Sequence, residues 1–287
     1  MQNDILKKLQ ANAHTFSKGQ RAIARFISES YDKAAFMTAA RLGKAVGVSE
    51  STVVRFAVEM GYDGYPEMQR AMQEMVVNRL TSVQRLGVAN DRIGKQDVLT
   101  TVIHSDIEKL RQTAETVSRE DFQAAVDKIM KARRVFVLGA RSAAPLASFL
   151  GYYLKLMLDT VHVVTTSGIS ATLEQVINVN EQDAVIAFSF PRYSTSTAQC
   201  AEFSRSRGAA VIGVTDSSDS PLGRNSEYVL LARSNMISLV DSLTAPMSIV
   251  NALIVAIASQ KGQELENRFS QLEAFWEEFN VYQKQVK

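Results

Sequence analysis

The sequence predicts an all-α N-terminal domain over residues 1–80, a linker and connecting helix over 81–120, and a three-layer α/β domain with a parallel five-stranded sheet over 121–287. Three observations carry this. Up to about residue 130 apolar residues recur at three and four, with Pro66 the only proline. From residue 134 the texture changes to five short apolar runs, VFVLG, VHVV, AVIAF, AVIGVT and YVLLA, each followed by a Gly/Ser/Thr-rich turn and, in most cases, a helical stretch. Runs apolar on both faces belong to strands covered by helices on each side, which makes the sheet parallel.

Composition narrows the class. A chain of 287 residues with 46% hydrophobic and 22% charged residues has the balance of a folded globular protein long enough for two cores. No apolar run reaches the roughly 18 residues of a membrane span. The start MQNDILKKLQ has acidic and amide residues where a signal peptide has its apolar core, so a cytoplasmic chain with no membrane partner is expected. Cys200 is the single cysteine and there are three histidines, which argues against a disulfide, a metal site or a cofactor. Residues 1–80 hold eleven Lys/Arg against eight Asp/Glu, an asymmetry too weak to name a partner.

Along the N-terminal domain, the informative segment is TAARLGKAVGVSESTVVRFAVEMGYDGY at 38–65. Thr38 caps a first helix with Ala39, Leu42 and Val46 facing inward, and Gly47 ends it. Val48 plugs the angle, Ser49 caps a second helix with Thr52 at its third position, and Val53, Phe56, Ala57 and Met60 form the buried stripe until Gly61 closes it. This is a helix-turn-helix, whose second helix presents its N-terminal residues to base edges in the major groove. The outer face offers Ser49, Glu50, Ser51, Thr52 and Arg55, with Glu59 beyond. Arg55 is the strongest base or phosphate contact among them.

SKGQRAIARFI at 17–27, the segment above and the closing MGYDGYPEM together resemble the N-terminal domain of RpiR/MurR-type regulators over about eighty residues. The family's valine-Ser-x-Ser-Thr-valine-x-Arg-Phe run is present as Val48, Ser49, Ser51, Thr52, Val53, Arg55 and Phe56, and Gly61, Tyr62 and Gly64 match as well. The resemblance implies a transcriptional regulator that binds double-stranded operator DNA.

In the C-terminal domain, hydroxyl-rich turns follow successive strands. VFVLG leads to Arg141 and Ser142 before a helix, AVIAF leads to Ser189, Arg192, Ser194 and Thr195, and a third turn at 165–170 carries Ser167. Amides and hydroxyls at helix N-termini hold anions, and ligands of open parallel sheets bind at the carboxyl ends of strands where strand order reverses. The region from about 120 to 260 resembles a sugar-isomerase (SIS) domain, the usual partner of this DNA-binding domain. That implies a phosphosugar-type effector. This sequence departs from the family's Ser-x-Ser-Gly-x-Thr turn, with Pro191 and Arg192 where Ser and Gly stand. In the first turn Arg141 falls on the second glycine and Ala143 on the serine. Two arginines match phosphate or carboxylate, so a phosphorylated sugar, amino sugar or sugar acid is expected.

The alternative is a sugar-phosphate aldose-ketose isomerase with an accessory helical domain. His14, His104 and His162 all lie away from the turns, while Glu174 and Asp241 are better read as caps or ligand partners than as bases. No catalytic residue is expected. The last helix carries Leu265, Phe269, Leu272, Phe275, Trp276 and Phe279 on one stripe, to be covered by its own domain or by a second subunit of a homodimer or tetramer.

Overall fold

The computed structural model describes residues 5–77, 97–164, 168–234 and 240–282. These form two compact units that part inside one helix, between Ile103 and His104. The expected end of the first domain at residue 80 lies outside the described residues.

The first unit is helical: α1 (Ile5–Ala11), α2 (Lys18–Glu29), α3 (Tyr31–Ala34), α4 (Ala39–Val46), α5 (Glu50–Glu59) and α6 (Tyr65–Val77). Ser17 opens α2 with a capping box, its side chain accepting from the Gln20 backbone while the Gln20 side chain accepts from the Ser17 amide. The apolar stripes meet in one core built on Ile5, Ile23, Ile27, Leu42, Val53, Phe56, Met68 and Met72, with the Phe16 and Phe56 rings 5.3 Å apart. α6 clamps the approach to α4. Tyr65 Oη donates to the Met37 carbonyl at 2.7 Å, Gln69 reaches the same oxygen at 2.7 Å, and Gln73 reaches the Ala35 carbonyl at 2.9 Å.

α7 spans Val98–Thr116. The second unit continues through α8 (Arg119–Lys131), β1 (Arg134–Gly139), α9 (Ala144–Met157), β2 (Val161–Val164), α10 (Ile169–Gln175), β3 (Asp183–Phe188), α11 (Thr195–Ser206), β4 (Ala210–Thr215), β5 (Tyr228–Leu231) and α12 (Thr244–Glu278). All strand pairs are parallel and the order is β2-β1-β3-β4-β5, which is the expected five-stranded sheet. Alternation within a strand feeds two cores. Val135 and Val137 face one with α8, α9 and α12, while Phe136 and Leu138 face the other with α10 and α11, giving three layers.

At the amino end of the sheet Asp183 is fully covered and accepts from both Arg133 and Arg134, the latter at 2.7 Å, and from the Asn180 amide at 3.0 Å. Burial pushes its carboxyl up, but the hydrogen bonds from Arg134, Arg133 and Asn180 outweigh that and hold it at about 2.

The run RSNMISLVDSLTAPM reads as one helix in sequence, and this is corrected: Arg233, Ser234 and 240–243 are not helical, and α12 starts only at Thr244. The terminal stripe is partly covered by its own domain. Leu265 is buried, whereas Phe275 and Phe279 remain largely exposed. α12 is also broken at Gly262, whose φ of 48 lies in the left-handed region.

Candidate DNA interface and ligand site

α5 begins where its sequence dictates. Ser49 has extended backbone and its hydroxyl accepts the Thr52 amide at 3.2 Å, satisfying one of the donors a helix start leaves unpaired. Thr38 caps α4 in the same way at 3.3 Å, and Gly47 ends α4 at φ 75. The α4–α5 turn is tight because Gly43 lets the backbone close in, since a Cβ there would lie 2.8 Å from the Val48 carbonyl oxygen. Val53, Phe56, Ala57 and Met60 are buried as expected.

The candidate DNA residues divide by role. Ser49 and Thr52 are bound into the cap, their hydroxyls 2.8 Å apart, and Thr52 is half-buried. Ser51 stands exposed with its hydroxyl 2.9 Å from that of Ser49. Glu50 and Arg55 point outward with exposed side chains. Glu59 instead accepts a hydrogen bond from Gln20, which ties the far end of α5 to α2.

In the sheet, β1 lies between β2 and β3, so strand order reverses at the β1–β3 pair. Gly139 and Phe188 are register partners, so the turns that follow them emerge side by side. After β1 the chain makes a short 3-10 turn, Arg141–Ala143, before α9. Arg141 and Ser142 are exposed there. The turn lies so close to the strand that a Cβ on Gly139 would meet the Ala143 carbonyl oxygen at 2.6 Å. After β3, Ser189 is buried and its hydroxyl accepts the Ser194 amide at 3.3 Å. Ser194 caps α11 by accepting from the Thr197 amide at 3.3 Å, and Thr195 is exposed in the first turn. Arg192 is exposed between them. Ser167 lies outside the described residues.

Both arginines adopt left-handed backbone, φ 55 at Arg141 and φ 65 at Arg192. This is the conformation glycine adopts without penalty, so each turn takes a shape that suits glycine while carrying a cation.

Four residues at this edge escaped sequence reasoning. Tyr193 Oη donates to the Asp216 carboxylate at 2.9 Å, just past β4. Burial pushes the Asp216 carboxyl up, while Tyr193, Thr215 and the nearby Arg233 cation pull it down. Arg233, just past β5, has a buried Nε with no acceptor among the described residues. Thr197, fully buried at the start of α11, likewise has an unpaired hydroxyl among the described residues. The edge therefore combines cations, one half-buried carboxylate and unsatisfied donors, a set suited to a polyhydroxylated anion.

Two of the groups considered for proton transfer sit elsewhere. His162 lies within β2 stacked on Phe136 at 5.0 Å, and Glu174 is exposed on α10. Burial raises the Cys200 thiol to about 11, which keeps it protonated and a poor nucleophile. Among the described residues no group of His, Cys, Asp and Glu is arranged to hold a metal ion, and no helix is long and apolar enough to cross a membrane.

Residues 3–79 match the helix-turn-helix domain of the rpiR family, and residues 128–256 match the SIS domain. An uncharacterised HTH-type transcriptional regulator of Clostridium perfringens is 23% identical over 227 residues, 79% of this chain and 80% of that protein. Among solved structures, the sugar isomerase domain of an RpiR transcription factor from Sphaerobacter thermophilus is similar at 29% identity and a TM-score of 0.59, over 62% of this chain and 99% of that one. The Vibrio vulnificus NanR protein complexed with ManNAc-6P is similar in fold at 19% identity and a TM-score of 0.60, over 98% of this chain and 100% of that one.

Proposed function

This chain belongs to the rpiR family of helix-turn-helix transcriptional regulators with a SIS domain, and from that premise we propose that it is a ligand-controlled operator-binding protein. α5 enters the major groove of double-stranded DNA with Glu50, Ser51 and Arg55 foremost, while Ser49 and Thr52 hold the start of the helix. A phosphorylated sugar, amino sugar or sugar acid binds across the turns after β1 and β3 and changes operator affinity. The functional unit is a homodimer or tetramer, because paired recognition helices match paired half-sites.

The observation that carries the ligand reading is the pair of left-handed arginines at the strand-order switch. Each carries an exposed guanidinium beside the start of a helix, where an anion is favoured. The ManNAc-6P held by the NanR protein, which shares this fold, supports phosphorylated amino sugars as the first compounds to try.

The test is a thermal-shift screen of the purified protein against phosphorylated sugars, amino sugars and sugar acids. A hit is then added to a DNA-binding titration. A ligand that changes operator affinity supports the reading, and by linkage the operator changes ligand affinity by the same factor. A bound compound converted to its aldose or ketose isomer, followed by NMR, would instead establish an isomerase.

A further inference from the structure

The outer face of α5 is not uniformly polar. Ser51, Val54, Arg55 and Val58 follow the i, i+3, i+4, i+7 spacing that gathers four side chains on one side of a helix. Val54 is 38% and Val58 54% exposed, while Val53 on the opposite side is wholly buried. The inward stripe of α5 is already complete without them. At an exposed helix position valine is a poorer helix former than alanine or a long straight chain. Neither the helix nor its core therefore calls for valine at these two sites.

A single exposed valine is ordinary. Here two of them, one turn apart, share the face that carries Ser51 and Arg55 and that a major groove would cover. In that groove the apolar feature among the base edges is the 5-methyl group of thymine. We propose that Val54 and Val58 read thymine methyl groups, so that thymines at fixed positions define the half-site alongside the hydrogen bonds of Ser51 and Arg55. Val54, nearer the helix start, faces the base edges more directly, and Val58 reaches the next step along the groove. This inference rests on the reading of α5 as the recognition helix.

The test starts by selecting bound sequences from a random duplex library with the full-length protein. In the enriched site each thymine is then replaced singly by deoxyuridine, which removes the methyl group and leaves the Watson-Crick hydrogen bonds intact. Replacement at one or two positions per half-site should weaken binding about fourfold each, the value of one buried methyl-sized group. Val54→Ala and Val58→Ala should each lose a similar factor on the thymine duplex and become indifferent to deoxyuridine at one of those positions. Their salt dependence should stay that of the unaltered protein, because the phosphate contacts remain. Alanine favours the helix, and far-UV circular dichroism checks that both variants are folded.

An enriched site whose affinity ignores every deoxyuridine replacement overturns the methyl reading and leaves operator binding standing. So do variants that keep the unaltered protein's methyl sensitivity. If either variant changes the sedimentation behaviour while methyl sensitivity persists, the face belongs to a second copy of the chain and the proposal fails. Enrichment of no sequence at all would overturn both this proposal and the DNA-binding reading beneath it.

Discussion

Arg141 and Arg192 show how a single residue can preserve a turn while changing its chemistry. Left-handed backbone costs an L-residue about 1–2 kcal/mol, and glycine at the same place gives back part of that gain through its freer unfolded chain. Arg192→Gly and Arg141→Gly should therefore leave the melting temperature unchanged or slightly higher. Affinity for the sugar phosphate found in the screen should fall about tenfold or more, as expected for loss of a charge-assisted contact, with calorimetry measuring both effects. Asp183 makes the opposite case, a residue whose role is stability alone. Its carboxyl is held at about 2 against an ordinary 3.8, so its contribution is complete above the ordinary value and disappears as pH falls toward 2. Asp183→Asn should cost about 3 kcal/mol at neutral pH, as for a broken buried ion pair. It should also flatten the loss of stability between pH 4 and 2, which urea unfolding across that range will read.

At the scale of elements, the helix-turn-helix was legible because its determinants are local. The Thr38 and Ser49 caps, the Gly47 end and the Val53, Phe56, Ala57, Met60 stripe lie within a few residues of one another and occur as read. Gly43 is the less visible part, since its requirement comes from the backbone of the following turn rather than from its own helix. Gly43→Ala would gain up to about 1 kcal/mol from helix propensity alone. The 2.8 Å approach to the Val48 carbonyl reverses that sign. The variant should lose about 1–2 kcal/mol net, within the usual cost of overpacking, seen as a lower urea midpoint with operator affinity reduced alongside. The five strands were equally legible, being apolar on both faces. The Tyr193–Asp216–Arg233 cluster was not, because it joins the ends of β3, β4 and β5, and only the order of the sheet makes those ends neighbours. The left-handed arginines stood between these cases. Their positions were visible through the resemblance, which puts glycines there, their conformation only in the folded chain. The C-terminal stripe was read correctly as apolar, but sequence periodicity does not say how far along a helix its own domain extends cover.

For the whole molecule, the parallel sheet carries a kinetic consequence. No two of its strands can zip through a hairpin, so each pairing must close over a crossover, and the central β1–β3 pair joins residues about fifty positions apart. The helical unit is assembled from shorter-range contacts, which form faster. Refolding should therefore regain helical signal before the packing around β1 and β3 protects its amides, an order that pulsed hydrogen exchange will report. On the ribosome the same order is set by direction, because the helices emerge before the first strand has been made. On the proposed function, a nascent regulator thus completes the part that grips the chromosome while the part that listens for metabolite is still unbuilt, and for that interval it is deaf to its own signal.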